Sequence, residues 1–424
     1  MKKSLLAAGL AAALLAPQVA GAEGFGIVEW SAEGIAMGGA RMFAEGDAAN
    51  VAYNPASITK IQGKAMKWSA TYISPHGRYD AKKRELVDLP NGQKVPAPNS
   101  SDEIESARNR VRPGWAPASY YVRQIDEKNW IGMGNFPRFA MASEFESGTV
   151  AASNNKLAKL NGMSFTPVYA HKFDKKWSAA VGAEINYVGL ELQKELLGKT
   201  PMQVEGESWA MGWNAAANYA FDDKNEIGVV YRSKITHSLE ADDVKLSGND
   251  VADAYGVVTL PDTWSIGYNH KFDKKTRIEL NATRTNWHTY DALDIYFSGV
   301  ANGPDGKPVL PGAAPSPKNW EDGWRYAIGL EHKLSDKYSL MAGFAYDGSC
   351  IPYDGGDFIV PTGNRRTYSL GMQYHDKDQT LALAAGYMDV GSLDFKGQAT
   401  DMYDSVHTHD NYVKIYSISY QRNF

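Results

Sequence analysis

The feature that most restricts this chain is a short acidic turn that recurs between runs of alternating residues. His171-Lys172-Phe173-Asp174-Lys175-Lys176-Trp177 nearly returns as His270-Lys271-Phe272-Asp273-Lys274-Lys275-Thr276. Variants occur at Phe221-Asp222-Asp223-Lys224-Asn225, at Leu334-Ser335-Asp336-Lys337-Tyr338 and at His375-Asp376-Lys377-Asp378, and Ile125-Asp126-Glu127-Lys128 is an earlier relative. Short Asp- and Asn-rich turns between aromatic-ended runs are hairpin signals. The flanks alternate with period two. Trp209, Met211, Trp213, Ala215, Ala217, Tyr219 and Phe221 share one face, whereas Ser208, Gly212, Asn214 and Asn218 share the other. Consecutive hairpins of this kind build an antiparallel sheet. With aromatics at the strand ends, the apolar face suits lipid and the polar face a lumen.

The runs predict fourteen strands near 66–75, 115–125, 129–145, 162–173, 177–192, 207–221, 226–239, 262–272, 276–289, 321–333, 338–347, 366–375, 379–390 and 411–423. An even number lets an antiparallel sheet close into a transmembrane barrel with both ends on one rim. The six tight turns alternate with longer connections at 76–114, 146–161, 193–206, 240–261, 290–320, 348–365 and 391–410. That asymmetry matches short periplasmic turns and long extracellular loops. The fold class expected is therefore all-β, a 14-stranded antiparallel transmembrane barrel.

Composition agrees once the alternation is taken into account. A mean hydropathy of -0.41 would suit a soluble protein, but a barrel hides its apolar half by alternating it with lumen residues. The 24 Tyr and 11 Trp supply interfacial girdles. After the first residues no apolar run approaches the ~20 that a spanning helix needs. The net charge of -5 argues against nucleic acid, which wants a basic surface. A single Cys350 excludes an internal disulfide framework and a multi-cysteine metal site.

The start of the chain reads as an export signal over 1–22. Lys2 and Lys3 form its charged region, Leu5 to Leu15 its apolar region and Ala20-Gly21-Ala22 the cleavage site. Residues 23–65, rich in Gly and Ala, do not follow the barrel pattern. They are expected to plug the lumen with short helices ahead of a barrel over 66–424. The last strand, Tyr412 to Phe424, alternates and closes on a terminal aromatic, which resembles the C-terminal signal of outer-membrane barrels.

Gly24-Phe25, Gly34, Gly38-Gly39-Ala40, Ala48-Ala49-Asn50-Val51 and Asn54-Pro55-Ala56 together resemble the N-terminal hatch of the FadL family of Gram-negative outer-membrane transporters. Further similarity runs through Met141 to Phe145, Tyr231-Arg232-Ser233, Leu260 to Trp264, Asp322 to Gly329 and Tyr346 to Pro352, nearly the whole mature chain. The resemblance implies passive uptake of long-chain fatty acids, or of aromatic hydrocarbons in some relatives, by a monomer set in outer-membrane lipid and lipopolysaccharide. It further implies capture by loops, an apolar internal pocket, and hatch movement that releases substrate sideways where the third strand kinks.

Site residues follow from both sources. Gly132, Gly134 and Pro137 lie in the third strand, where proline cannot donate to a ladder and glycine weakens it; a bulge at the barrel rim is the alternative. By alternation Arg232 and Arg325 face the lumen. There they can pair a substrate carboxylate or bond hatch and barrel acids instead. Phe25 resembles a family residue that enters the binding pocket, with hatch packing as its other role. Asn54, Pro55 and Ala56 are expected to lock the hatch to the wall. The resemblance departs at the short connections 193–206 and 240–261, at Glu321 where some fatty-acid transporters place a lysine, and near Val188-Gly189, which lacks a basic residue. The long connection 76–114 carries Lys82-Lys83-Arg84 and the arginines of 108–112. These departures favour neutral or aromatic substrates. His407-Thr408-His409-Asp410 suggests a metal site but has no partner ligands nearby in sequence and reads as a solvated loop. Asp354-Gly355-Gly356-Asp357 lacks the ligand spacing of a calcium loop. No catalytic motif appears, so neither enzyme activity nor cofactor is expected. A general porin for hydrophilic solutes and an adhesin remain as other classes.

Overall fold

The computed structural model describes residues 24–88, 94–97 and 103–424. The expected signal at 1–22 lies outside the described residues, as do two parts of the connection 76–114. Fourteen antiparallel strands close into a barrel among the described residues. They are β1 Lys64–Lys83, β2 Gly114–Gln124, β3 Asn129–Phe136 resumed at Ala140–Glu144, β4 Leu157–Lys172, β5 Trp177–Leu196, β6 Thr200–Ala220 and β7 Asn225–Arg232. The circuit continues through β8 Thr263–Lys271, β9 Thr276–Thr285, β10 Gly323–Lys333, β11 Tyr338–Asp347, β12 Arg365–Asp376, β13 Gln379–Val390 and β14 Tyr403–Asn423. Closure is by β1 against β14, from Ala65 opposite Asn423 onward. Closing the sheet removes the edge that would otherwise leave backbone polar groups unpaired.

The repeated acid explains the short-turn rim. Asp174 Oδ1 accepts from the backbone N–H groups of Lys176 and Trp177 at 2.7 and 2.8 Å. Asp222 and Asp273 do the same for the residues two and three positions on. Ser335 replaces the carboxylate in a fourth copy. Each side chain thus satisfies donors that a tight turn leaves without backbone partners. Outward aromatics Phe173, Trp177, Phe221 and Phe272 ring this rim and are exposed, as are Trp115, Trp209, Trp264 and Tyr368 further up the wall.

At the opposite rim the sheet runs further than the alternation suggested. The connection at 193–206 is not a loop: β5 and β6 pair up to Leu196 opposite Thr200, and Leu197 and Gly198 turn the chain with φ of 49° and 66°. The connection at 240–261 holds a hairpin of strands Ile235–Leu246 and Asn249–Leu260, turned at Ser247 and Gly248 with φ of 52° and 83°. Positive φ at both central residues matches the right-handed twist of a two-residue hairpin. Strands beyond the lipid no longer need an apolar outer face, while their inner sides still pack, with Met202, Ala241, Val244, Ala252 and Ala254 in one buried cluster.

Residues 24 to 61 lie inside the barrel and are almost entirely buried. Helix Ala32–Ala36 is capped by Ser31, and the 3-10 helix Pro55–Lys60 by Asn54, whose side chain accepts from the Ala56 N–H. Polar side chains of the inner wall meet the segment's own backbone. Ser419 Oγ accepts from the Ala32 N–H at 2.8 Å, and Gln421 Oε1 from the Ala48 N–H at 2.9 Å. Barrel glycines allow closer approach. A Cβ on Gly343 would stand 2.1 Å from the Gly38 nitrogen.

Candidate transport site

The wall is interrupted in β3. Between Phe136 and Ala140 the chain spends four residues while β4 spends three, from Ser164 to Asn161. Pro137 stands in this bulge and has no N–H to offer. The β2–β3 ladder ends at Ser119 opposite Asn135, whereas β2 goes on to Gly114 with pairing to β1 alone. A gap therefore opens between Gly114–Ala118 and the resumed part of β3. Gly132 and Gly134 are in the unbroken ladder below it. Their missing side chains make room for Val51 of the N-terminal segment, whose methyl carbons would lie 2.9 Å from a Cβ at either position.

Behind the gap lies a cavity of about 810 Å³. One rim of the gap contributes Trp115 and Pro117, the other Pro137, Met141 and Leu160, and Phe25, Ile27 and Val28 close its inner side. The N-terminal residues are fastened to the break itself. The Ala140 N–H donates to the Phe25 carbonyl at 3.1 Å and the Ile27 N–H to the Arg138 carbonyl at 2.9 Å. These bonds pair backbone groups that the interruption sets free. The Phe25 ring packs in a box of Phe139, Trp287, Tyr290 and Trp320 with centroid separations of 4.8 to 6.0 Å.

Arg138, which the sequence reading did not select, points from the bulge into the lumen. Its Nη1 donates to both oxygens of Glu184 at 3.2 and 3.3 Å and to the Ser233 carbonyl at 3.2 Å. Its Nη2 donates to the Pro261 carbonyl at 3.1 Å. Arg232 faces the same acid at 3.8 Å and donates to the carbonyls of Val51 and Ala52. Arg325 is bidentate with Asp347 at 2.7 Å and donates to the Gly38 carbonyl at 3.0 Å. Both expected arginines thus face inward and hold the N-terminal segment, and Arg325 also lines the cavity. Asn54 donates to Asn218 Oδ1 at 2.7 Å, Pro55 opens the 3-10 helix, and the Ala56 carbonyl accepts from Ser178 at 3.2 Å.

A second set of charges secures the segment near the short-turn rim. Lys67 of β1 lies 2.8 Å from Glu33 and 2.7 Å from Asp47, and all three are buried. Arg41 joins Asp47 at 3.3 Å to Glu331 at 3.0 Å, and Arg277 completes the chain to Glu331 and Glu279 at 2.8 and 3.0 Å. Burial alone would push the Asp47 carboxyl up. Lys67 and Arg41 outweigh that and hold it below the usual carboxylate range. No local pattern could reveal these partners, which meet only when the barrel closes around residues distant in sequence.

Residues 13–424 match the profile of the family described as "Outer membrane protein transport protein (OMPP1/FadL/TodX)". The chain belongs to this family. Among its relatives is the long-chain fatty acid transport protein of Escherichia coli O6:H1, 23% identical with 95% of this chain and 94% of that protein covered. Among solved structures, a Pseudomonas aeruginosa FadL homologue superposes with a TM-score of 0.80 at 17% identity, covering 95% of this chain and 100% of that one. The Pseudomonas putida toluene transporter TodX gives 0.66 at 15% identity, covering 95% and 99%. At such identities the structures establish the shared barrel. Members of the family are transporters rather than enzymes, and this chain is an outer-membrane protein of the FadL type.

Proposed function

We propose that the chain is a passive channel carrying long-chain fatty acids, or other hydrophobic molecules, through a plugged barrel and out through the side wall. The observation that carries this is the apolar cavity lying between the N-terminal segment and the gap at Pro137. A molecule held there faces lipid across an interrupted ladder, so it can leave without crossing water. An open pore for hydrophilic solutes is disfavoured, because buried segments and charges fill the lumen.

In this reading residues 23–65 form the hatch, exported behind a signal at 1–22, and 66–424 the barrel, which works as a monomer in lipid and lipopolysaccharide. Phe25 and Arg325 line the substrate cavity. Arg232 anchors the hatch through Val51 and Ala52 and contacts substrate when the hatch shifts. Asn54, Pro55 and Ala56 lock the hatch to β5 and β6, Gly132 and Gly134 seat Val51 against β3, and Pro137 sets the exit. The aromatic-hydrocarbon alternative is kept by the likeness to TodX. Transport is downhill and uses no cofactor.

Uptake of labelled oleate and labelled toluene by cells lacking their own outer-membrane transporter tests the reading, with wild type beside a variant lacking Asn54-Pro55-Ala56. Oleate uptake that the deletion abolishes is the expected result. Toluene uptake alone selects the alternative. Uptake of neither, with the barrel assembled, would overturn the channel assignment.

A further inference from the structure

One inward row crosses three neighbouring strands: Arg325 on β10 pairs in register with Asp347 on β11, which pairs with Arg365 on β12. Asp347 is fully buried, and both its oxygens accept from Arg325 Nη1. Arg365 lies on the other side of the same acid, yet no carboxylate among the described residues forms an ion pair with it. Its Nη2 donates to the Gly24 carbonyl and, at 3.2 Å, to Thr362 Oγ1, while its buried Nε has no hydrogen-bond partner. The row thus holds two guanidinium groups for one carboxylate.

The surplus charge faces the 810 Å³ cavity, whose wall includes Arg365, Arg325, Met388 and Val390. An uncompensated cation beside an apolar space is costly and becomes favourable when an anion arrives with hydrogen-bond acceptors of its own. Arg138 and Arg232 also share one acid, Glu184, but they donate further to backbone carbonyls and do not line this cavity. Of the other cations that line it, Arg325 is held by Asp347, and Arg78, Arg112 and Lys159 are exposed. Glu29, an acid of the same cavity, sits by Thr71 of β1 and accepts from the Val28 N–H. It is three strands around the wall from Arg365.

We propose that Arg365 receives the carboxylate of an amphiphile whose hydrocarbon tail occupies the cavity. This selects a long-chain carboxylate over a neutral hydrocarbon, and it rests on the channel reading above. The two ends of such a ligand match the two parts of the site. Its carboxylate accepts from the guanidinium in a charge-assisted bond, and its tail replaces the apolar lining's contact with water. A cavity of this size lies within the range that holds small ligands.

The test is equilibrium binding of radiolabelled oleate and of oleyl alcohol, equal in tail and lacking the charge, to the purified barrel in an uncharged maltoside. Arg365→Gln and Arg365→Lys are compared with wild type, each checked for the heat-modifiable gel mobility of a folded barrel. Arg365→Gln is expected to weaken oleate by about tenfold or more while leaving oleyl alcohol unchanged, and Arg365→Lys to keep most of the preference. An equal oleate-to-alcohol ratio in wild type and Arg365→Gln would overturn the assignment and leave the channel reading standing. Equal loss of both ligands would reduce Arg365 to a structural role and overturn it as well. If neither ligand binds the wild type, the channel reading and this inference fall together.

Discussion

Gly343 on β11 shows how a single inward position can decide whether the barrel is plugged. A Cβ there would meet the Gly38 nitrogen at 2.1 Å and the Met37 carbonyl carbon at 2.2 Å, both backbone atoms that cannot rotate away. Forcing a methyl into such a contact costs about 1–3 kcal/mol. The barrel ladder itself is untouched, so Gly343→Ala should unseat the segment around Gly38 and leave the wall intact. Single-channel recording should show higher ion conductance than wild type with unchanged gel mobility; identical conductance would refute the tight seat. At this scale alternation was enough to place Arg232 and Arg325 inside, because a strand's period fixes the side each residue faces. Carried one step past Trp130, Gly132, Gly134 and Phe136, the same alternation turns Arg138 inward as well, but it could not show Glu184 as the partner. It also could not say that Gly132 and Gly134 make room for Val51, since that contact joins residues about 80 positions apart.

Among the elements, β3 carries the most specific consequence. Its ladder to β4 slips by one residue between Phe136 and Ala140, and its ladder to β2 ends before that point. Deleting Pro137 alone makes the residue counts on β3 and β4 equal and restores an N–H at every position. The strand can then run straight and pair with β2 through Gly114–Ala118. Cells expressing this deletion should lose most hydrophobic uptake while assembling the barrel in normal amounts. Normal uptake would show that substrate leaves by another route. The proline was legible as an interruption because its chemistry is local. Lengths of the outer strands were not. One face of the hairpin Ile235–Leu246 and Asn249–Leu260 is buried, with Ile235, Leu239, Ala241 and Val244 on one strand and Ala252, Ala254, Val258 and Leu260 on the other. Small residues within that row and the acids Glu240, Asp242 and Asp243 beside it mask the period, so the segment reads as loop. The short turns were legible for the opposite reason, since their Asp side chains act within three residues of themselves.

For the molecule as a whole, the barrel and the N-terminal segment are held by different forces. The barrel rests on a closed ladder of backbone bonds that do not titrate. The segment rests in part on buried charges, with Lys67, Asp47, Arg41 and Glu331 joined in series. Asp47 is held below the usual carboxylate range by Lys67 and Arg41 despite its burial. A carboxyl depressed in the folded state adds stability that is fully present above its ordinary value of 3.8 and is lost as pH falls below it. Losing one partner of a buried pair costs about 3–5 kcal/mol, a cost that falls on the segment and spares the ladder. Conductance of the reconstituted protein should therefore stay low at neutral pH and rise as pH is taken from about 4 downward, while gel mobility remains that of a folded barrel. Asp47→Asn should show the raised conductance at pH 7 and a flatter response to acid. A wild-type conductance that does not change down to the acid unfolding of the barrel would mean that the charge series does not hold the plug.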